Sequence, residues 1–158
     1  MKIIEINNWL AAIGNVGVLI GIIFLVSEFQ QNTMEMQAET RSTISQNYTQ
    51  ISEWFMDKEL AEIHARSLRG EPISRKNGEY TRLYSLYQGM FSIFENDWYQ
   101  YQRGLYEEGD FTPQLARWEN VIFNQPEARV AWSISRSFFE AGFRAKMDEI
   151  VVRAEEQH

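Results

Sequence analysis

Few residues in this chain could do chemistry, and their spacing narrows the choice further. His64 and His158 are the only histidines, and cysteine is absent. His64 with Ser67 could begin a Ser-His-Asp set, but no Gly-x-Ser-x-Gly elbow surrounds any serine to expose and activate a hydroxyl. No Glu-x-x-His arrangement accompanies His64 as a metal-ligand set. Without cysteine there is no disulfide, no thiolate nucleophile and no acceptor for a lipoprotein anchor. The residues therefore predict no catalytic constellation, no metal ligand set and no cofactor.

Two patterns suit binding better than reaction. Arg66, Arg69, Arg75, Lys76 and Arg82 gather base around residues 70–78, against the acidic trend of the chain, and could meet anionic headgroups or a partner's carboxylates. Arg117, Arg129, Arg136 and Arg144 are spread more widely and are expected to pair with the many glutamates. Tyr80, Tyr84, Tyr87, Phe91, Phe94, Trp98 and Tyr101 recur every three or four residues. Such a stripe either lines a pocket for a flat or lipid-like ligand or forms the core of a helical bundle, and the bundle core is the commoner outcome. Asn47-Tyr48-Thr49 matches a glycosylation sequon by chance, within a stretch read below as helix.

The elements that would carry these residues begin with residues 9–26, an uncharged run in which eleven positions are Leu, Ile, Val or Phe. At about 1.5 Å per residue it spans roughly 27 Å, enough for the hydrocarbon of a bilayer. Its insertion gains roughly 3–7 kcal/mol before Gly and Asn15 are charged against it. A cleaved signal peptide would want a more basic start than Lys2, a shorter apolar stretch and a small-x-small site after Val26. Gly14, Gly17 and Gly21 share one helical side, where another helix could approach closely, and the Asn15 carboxamide could hydrogen-bond across that contact. The expectation is a single transmembrane helix that self-associates or meets another membrane protein.

The mean hydropathy of −0.40 shows that the remainder must be clearly polar. The formal charge of −7 falls after the apolar run, since Lys2 and Glu5 cancel, and an acidic body of this kind repels nucleic acid. Neither glycine nor proline interrupts residues 22–69, so the membrane helix is predicted to continue to about Phe55. Residues 27–43 are nearly all polar, and then Ile44, Tyr48, Ile51 and Phe55 resume a stripe that should pack on the domain. Asp57 caps a short helix ending before Gly70, and residues 70–78 form a loop. The aromatic stripe makes the central helix, ended near Gly104. Gly109 and Asp110 are expected in a turn, with Thr112 capping a fourth helix at Pro113. Pro126 opens a fifth, whose inward stripe is Val130, Ile134 and Phe138, with a break near Gly142 before Phe143, Met147, Ile150 and Val151. The fold class is all-α: flank 1–8, span 9–26, helical stalk 27–56 and helical-bundle domain 57–158.

Three segments carry a resemblance: Phe29-Gln30-Gln31-Asn32-Thr33 after the span, Asp97-Trp98-Tyr99-Gln100-Tyr101 leading into Gly104-Leu105-Tyr106-Glu107-Glu108, and Arg129-Val130-Ala131-Trp132 followed by Phe143-Arg144. Together they resemble a group of uncharacterised bacterial proteins, many marine, with one membrane helix, a helix through Q-N-T and a helical domain. The resemblance implies the bacterial inner membrane and, from the basic I-R-Q-N-T pattern usual in the group, a cytoplasmic domain. Here Gln30 takes the arginine's place, and the flanking charges, counted alone, favour the opposite side. The functions expected are a membrane-anchored interaction or scaffold protein or, second, a tethered module binding a lipid-like or small anionic ligand.

Overall fold

The computed structural model describes the backbone of residues 2–156 and side-chain surroundings from residue 7 onward. Lys2 and Glu5, which enter the charge argument, and His158 lie outside the described side chains. Among the described residues there are six α-helices, one 3-10 turn and no strand: α1 (Lys2–Trp54), α2 (Lys58–Leu68), α3 (Glu79–Gln102), α4 (Glu108–Asn124), α5 (Pro126–Ser135), the turn Arg136–Phe138, and α6 (Ala141–Glu156). The all-α class read from the sequence holds. The chain divides into two compact units, Met1–Glu39 and Thr40–His158.

The first unit is helix throughout its described length. Its most apolar 18-residue window has a mean hydropathy of 2.4, and none of that window is buried within the chain. It is the one helix among the described residues long and apolar enough to cross a membrane. A core helix of a soluble protein and a signal sequence pass the same test of length and composition. Beyond the window Thr33 Oγ1 donates to the Phe29 carbonyl at 2.9 Å and Gln31 to Glu35 at 3.2 Å, local bonds that suit a solvated helix surface.

The second unit opens at Thr40, so the last turns of α1 belong to the helical unit. Ile44 is buried, and Tyr48, Ile51 and Phe55 pack on the core, as their spacing predicts, with Trp54 packed there as well. Asp57 Oδ1 accepts from Leu60 N at 2.8 Å and starts α2. Gly70, at φ +70°, closes α2 in the left-handed conformation that a side chain rarely adopts, and Gly104, at φ +71°, does the same after α3. In α3 the stripe sends Tyr87, Phe91 and Phe94 fully inside. Trp118 of α4 is the hub of the core: its ring stacks on Phe94 at 5.2 Å and meets Phe111 at 5.3 Å and Phe143 at 5.8 Å edge to face. Such ring pairs contribute about 0.5–1.5 kcal/mol each beyond the area they bury.

Two sequence expectations fail here for identifiable reasons. Helix α4 begins at Glu108, so Gly109 and Asp110 lie inside it rather than in a turn, and Pro113 sits in the helix instead of opening it. The early start buries Phe111, whose ring stacks on Tyr101 at 4.1 Å, and places Glu108 and Asp110 in the first turn, where the helix dipole favours acid. The second failure is in α5. The expected stripe of Val130, Ile134 and Phe138 faces outward, with Phe138 78% exposed, and the buried face is Ala128, Ala131, Trp132 and Ser135. Small residues let α5 come close to its neighbours, and the Trp132 indole supplies the apolar mass while its Nε1 donates to Asp148 at 2.9 Å. The break after α5 falls at residues 136–140, before Gly142: Glu140 Oε2 accepts from Gly142 N at 2.7 Å and Phe143 N at 3.0 Å, capping α6.

Candidate functional site

Asp97 is the only buried carboxyl group among the described residues. It lies three residues after Phe94 and four before Tyr101, in register with the stripe of α3, so the apolar face that folds the helix also carries this acid inward. From α1, Tyr48 Oη donates to Asp97 Oδ2 at 2.9 Å. From α4, Trp118 Nε1 donates to Tyr48 Oη at 3.4 Å. Asp97 Oδ1 has no protein partner among the described residues. Arg117 holds its guanidinium 5.0 Å from the centre of the Tyr48 ring. Three helices thus converge on one hydrogen-bonded group.

Burial pushes the Asp97 carboxyl up to about 7, against the Tyr48 hydroxyl and the Arg117 charge, which both favour the ion. The Tyr48 phenol is raised by the same burial and by the neighbouring acid. A carboxyl of this kind exchanges its proton near neutrality, as a general acid or base must. With no exposed surface, however, it reaches no substrate in this conformation. Outside Tyr48 lies a groove of about 590 Å³ lined by Arg41, Tyr106, Asp110, Gln114 and Arg117 among others. Arg41 Nε donates to Asp110 Oδ2 at 2.7 Å across this groove, tying α1 to the first turn of α4.

The binding residues read from the sequence lie elsewhere. Gly14, Gly17 and Gly21 have open space where a side chain would stand, and Asn15 is exposed on the same stretch of α1. Of the basic cluster, Arg66 pairs with Glu79 at 2.9 Å and approaches Glu71 at 3.6 Å, while Arg69 pairs with Glu71 at 2.6 Å. Arg82 meets Glu59 at 3.1 Å and Asp57 at 3.8 Å. Arg75 sits over the Tyr80 ring at 4.7 Å, and the backbone N–H of Lys76 donates to Ser74. Glu79 drops to about 2 under Arg66 and its backbone and side-chain donors, so this cluster works as a latch around the 70–78 loop.

Of the arginines expected in ion pairs, Arg136 pairs with Asp148. Arg117 instead covers Tyr48, and Arg129 donates to the Ile122 and Phe123 carbonyls at the end of α4. His64 lies 3.2 Å from Gln125 Oε1 and edge-on to Phe55, with its basicity lowered by burial. A second cleft, about 780 Å³, is lined by Trp98, Tyr99, Arg103, Glu95 and Glu140 among others.

Asp97 and its partners escape a motif search because no fixed spacing joins residues 48, 97 and 118. The available signal was subtler: a carboxylate standing in register with an aromatic stripe. No known family, curated protein or solved structure matches this chain.

Proposed function

We propose that this protein is a single-pass membrane-anchored interaction protein, its apolar helix held in a bilayer and its helical unit presented to a partner. The observation that carries this reading is the helix window of mean hydropathy 2.4 with no part of it covered by the chain. In water such a surface is unfavourable all round, and lipid removes that cost. The bacterial inner membrane, with the helical unit on the cytoplasmic side, follows the group that the sequence resembles. Self-association through Gly14, Asn15, Gly17 and Gly21 would let two helices approach closely, with Asn15 bonding across the contact for about 0.6–2 kcal/mol.

Crosslinking of the intact chain in mild detergent tests the association. A dimer or higher species that Gly17→Leu or Asn15→Leu disperses is expected; a strictly monomeric species unaffected by either variant defeats it. The anchor is tested by detergent-free lysis and ultracentrifugation, where a folded chain that stays in the aqueous fraction sinks the reading. Because the chain has no cysteine, one cysteine placed at Glu155 and exposed to a membrane-impermeant maleimide reports the side on which the helical unit lies.

The 780 Å³ cleft at Trp98 and Tyr99 favours a second reading, in which the tethered unit holds a small lipid-like or anionic ligand. Arg103, 4.4 Å from the centre of the Tyr99 ring, would meet the anionic end. Native mass spectrometry of the purified chain decides this: a co-purifying lipid or metabolite lost in Trp98→Ala supports it, and its absence counts against it.

A further inference from the structure

An ionised Asp97 is poorly provided for in this fold. One neutral hydroxyl reaches Oδ2, no protein group among the described residues reaches Oδ1, and Phe94 and Tyr101 flank it on its own helix. A buried carboxylate ordinarily needs two or three donors or a paired cation. The nearest cation is Arg117, yet among the ion pairs of the described residues none joins it to Asp97. Arg117 lies instead against the face of the Tyr48 ring, and both residues line the outer groove.

We propose that Asp97 is a proton-operated latch for residues 40–54 of α1: with its carboxyl neutral, this segment lies closed on α3 and α4, and loss of the proton loosens it. The neutral acid asks for no counter-charge and leaves Tyr48 seated between Asp97 and Trp118. The Tyr48 hydroxyl favours the ion but one hydroxyl does not satisfy it, so the ion draws Arg117 and water inward and α1 yields around Tyr48 to admit them. The groups that face Asp97 are Tyr48 from α1, Arg117 from α4 and Tyr106 from the connection between α3 and α4, whose own hydroxyl feels the Asp97 charge. Arg41 and Asp110 lie at the outer edge of the same groove and hold α1 to α4 independently, so the segment loosens around Tyr48 while this outer tie remains. This inference concerns packing within the helical unit and does not rest on the membrane reading.

The test uses the full chain in detergent micelles, spin-labelled at Thr49→Cys on α1 and Asn120→Cys on α4, both exposed positions in a cysteine-free background. Pulsed electron resonance is recorded from pH 5.5 to 8.5. A single narrow distance is expected at the acid end, with a longer, broader population growing as pH rises, its midpoint near 7. Asp97→Asn, neutral at every pH, should keep the narrow distance throughout. His64 remains in that variant, so a transition owed to its ring would survive there and overturn the proposal. Should Asp97→Asn not fold, Tyr48→Phe decides: removing the one donor to the carboxylate should move the midpoint to higher pH, and an unmoved midpoint overturns the latch. A wild-type distance that does not change with pH overturns it too.

Discussion

Residues 9–26 and residues 40–54 belong to one uninterrupted helix, yet they provide for their apolar side chains in opposite ways. In the first stretch Leu, Ile, Val and Phe point in every direction and none is covered by the chain; Phe24 and Ile23 are 70% and 68% exposed. In the second, only Ile44, Tyr48, Ile51 and Trp54 turn to the core, and the positions between them are polar. A helix that is apolar all round calls for apolar surroundings on every side, whereas a stripe calls for one protein face. The periodicity of a helix thus tells which environment each part of it is made for, even where no residue marks the change. The two stretches should therefore fail separately.

The strongest way to separate them is to remove Trp118, which is wholly buried against Phe94, Phe111 and Phe143. Trp118→Ala should cost about 3–5 kcal/mol. Near-ultraviolet circular dichroism of the intact chain in detergent should show the melting midpoint fall by roughly 10–20 °C. On the proposed membrane-anchored reading, sedimentation with membranes should not change. Loss of the chain from the membrane fraction in a soluble, folded form would contradict the division.

A gentler perturbation is pH. The folded chain holds the Asp97 proton to about pH 7, whereas an unfolded aspartate releases it near 4, so between those values the folded state binds one proton more. The helical unit gains stability from this group at the acid end of the window and loses it as pH rises through 7, by at most about 4 kcal/mol. Urea unfolding across that range should give a falling midpoint in the wild type and a flatter profile in Asp97→Asn. An equally steep profile in the variant would assign the slope to other groups.

Much of the fold was legible because it rests on local signals: the Asp57 cap, the Gly70 and Gly104 terminators, the α3 stripe, and the uninterrupted run from residue 22 to residue 54. The misreadings share a cause. At Val130, Ile134 and Phe138 the apolar spacing was sound but belonged to the outer face, because Ala128, Ala131 and Ser135 are chosen for closeness rather than hydrophobicity and carry little weight in a periodicity count. At Pro113 a strong start signal was overridden by the gain from seating Phe111 among Tyr101, Trp98 and Trp118. Tertiary contacts decide such cases, and one chain's order of residues does not reveal them. The same holds for the candidate site, since Tyr48, Asp97 and Trp118 meet only once α1, α3 and α4 are packed.

Gly89 offers the finest test of where the domain part of α1 ends. It lies inside α3, where alanine would ordinarily stabilise a helix by about 1 kcal/mol relative to glycine. A Cβ built there, however, falls 2.6 Å from Trp54 Cη2 and 3.0 Å from Cζ3. The missing side chain is therefore the space into which the last residue of α1 lays its indole. In Gly89→Ala the ring has to tilt away, since its own helix stops at Trp54 and the turn that follows leaves it room. Crowding of this size costs about 1–3 kcal/mol, and the better helix former offsets part of it, leaving a net loss of about 1 kcal/mol. In a chain that keeps Trp54 as its only tryptophan at exposed or partly buried positions, with Trp9 and Trp98 changed to Phe, quenching of indole emission by iodide should rise in Gly89→Ala. Unchanged quenching would mean that α3 itself moves, and the close approach of Trp54 would then not be what glycine is there to permit.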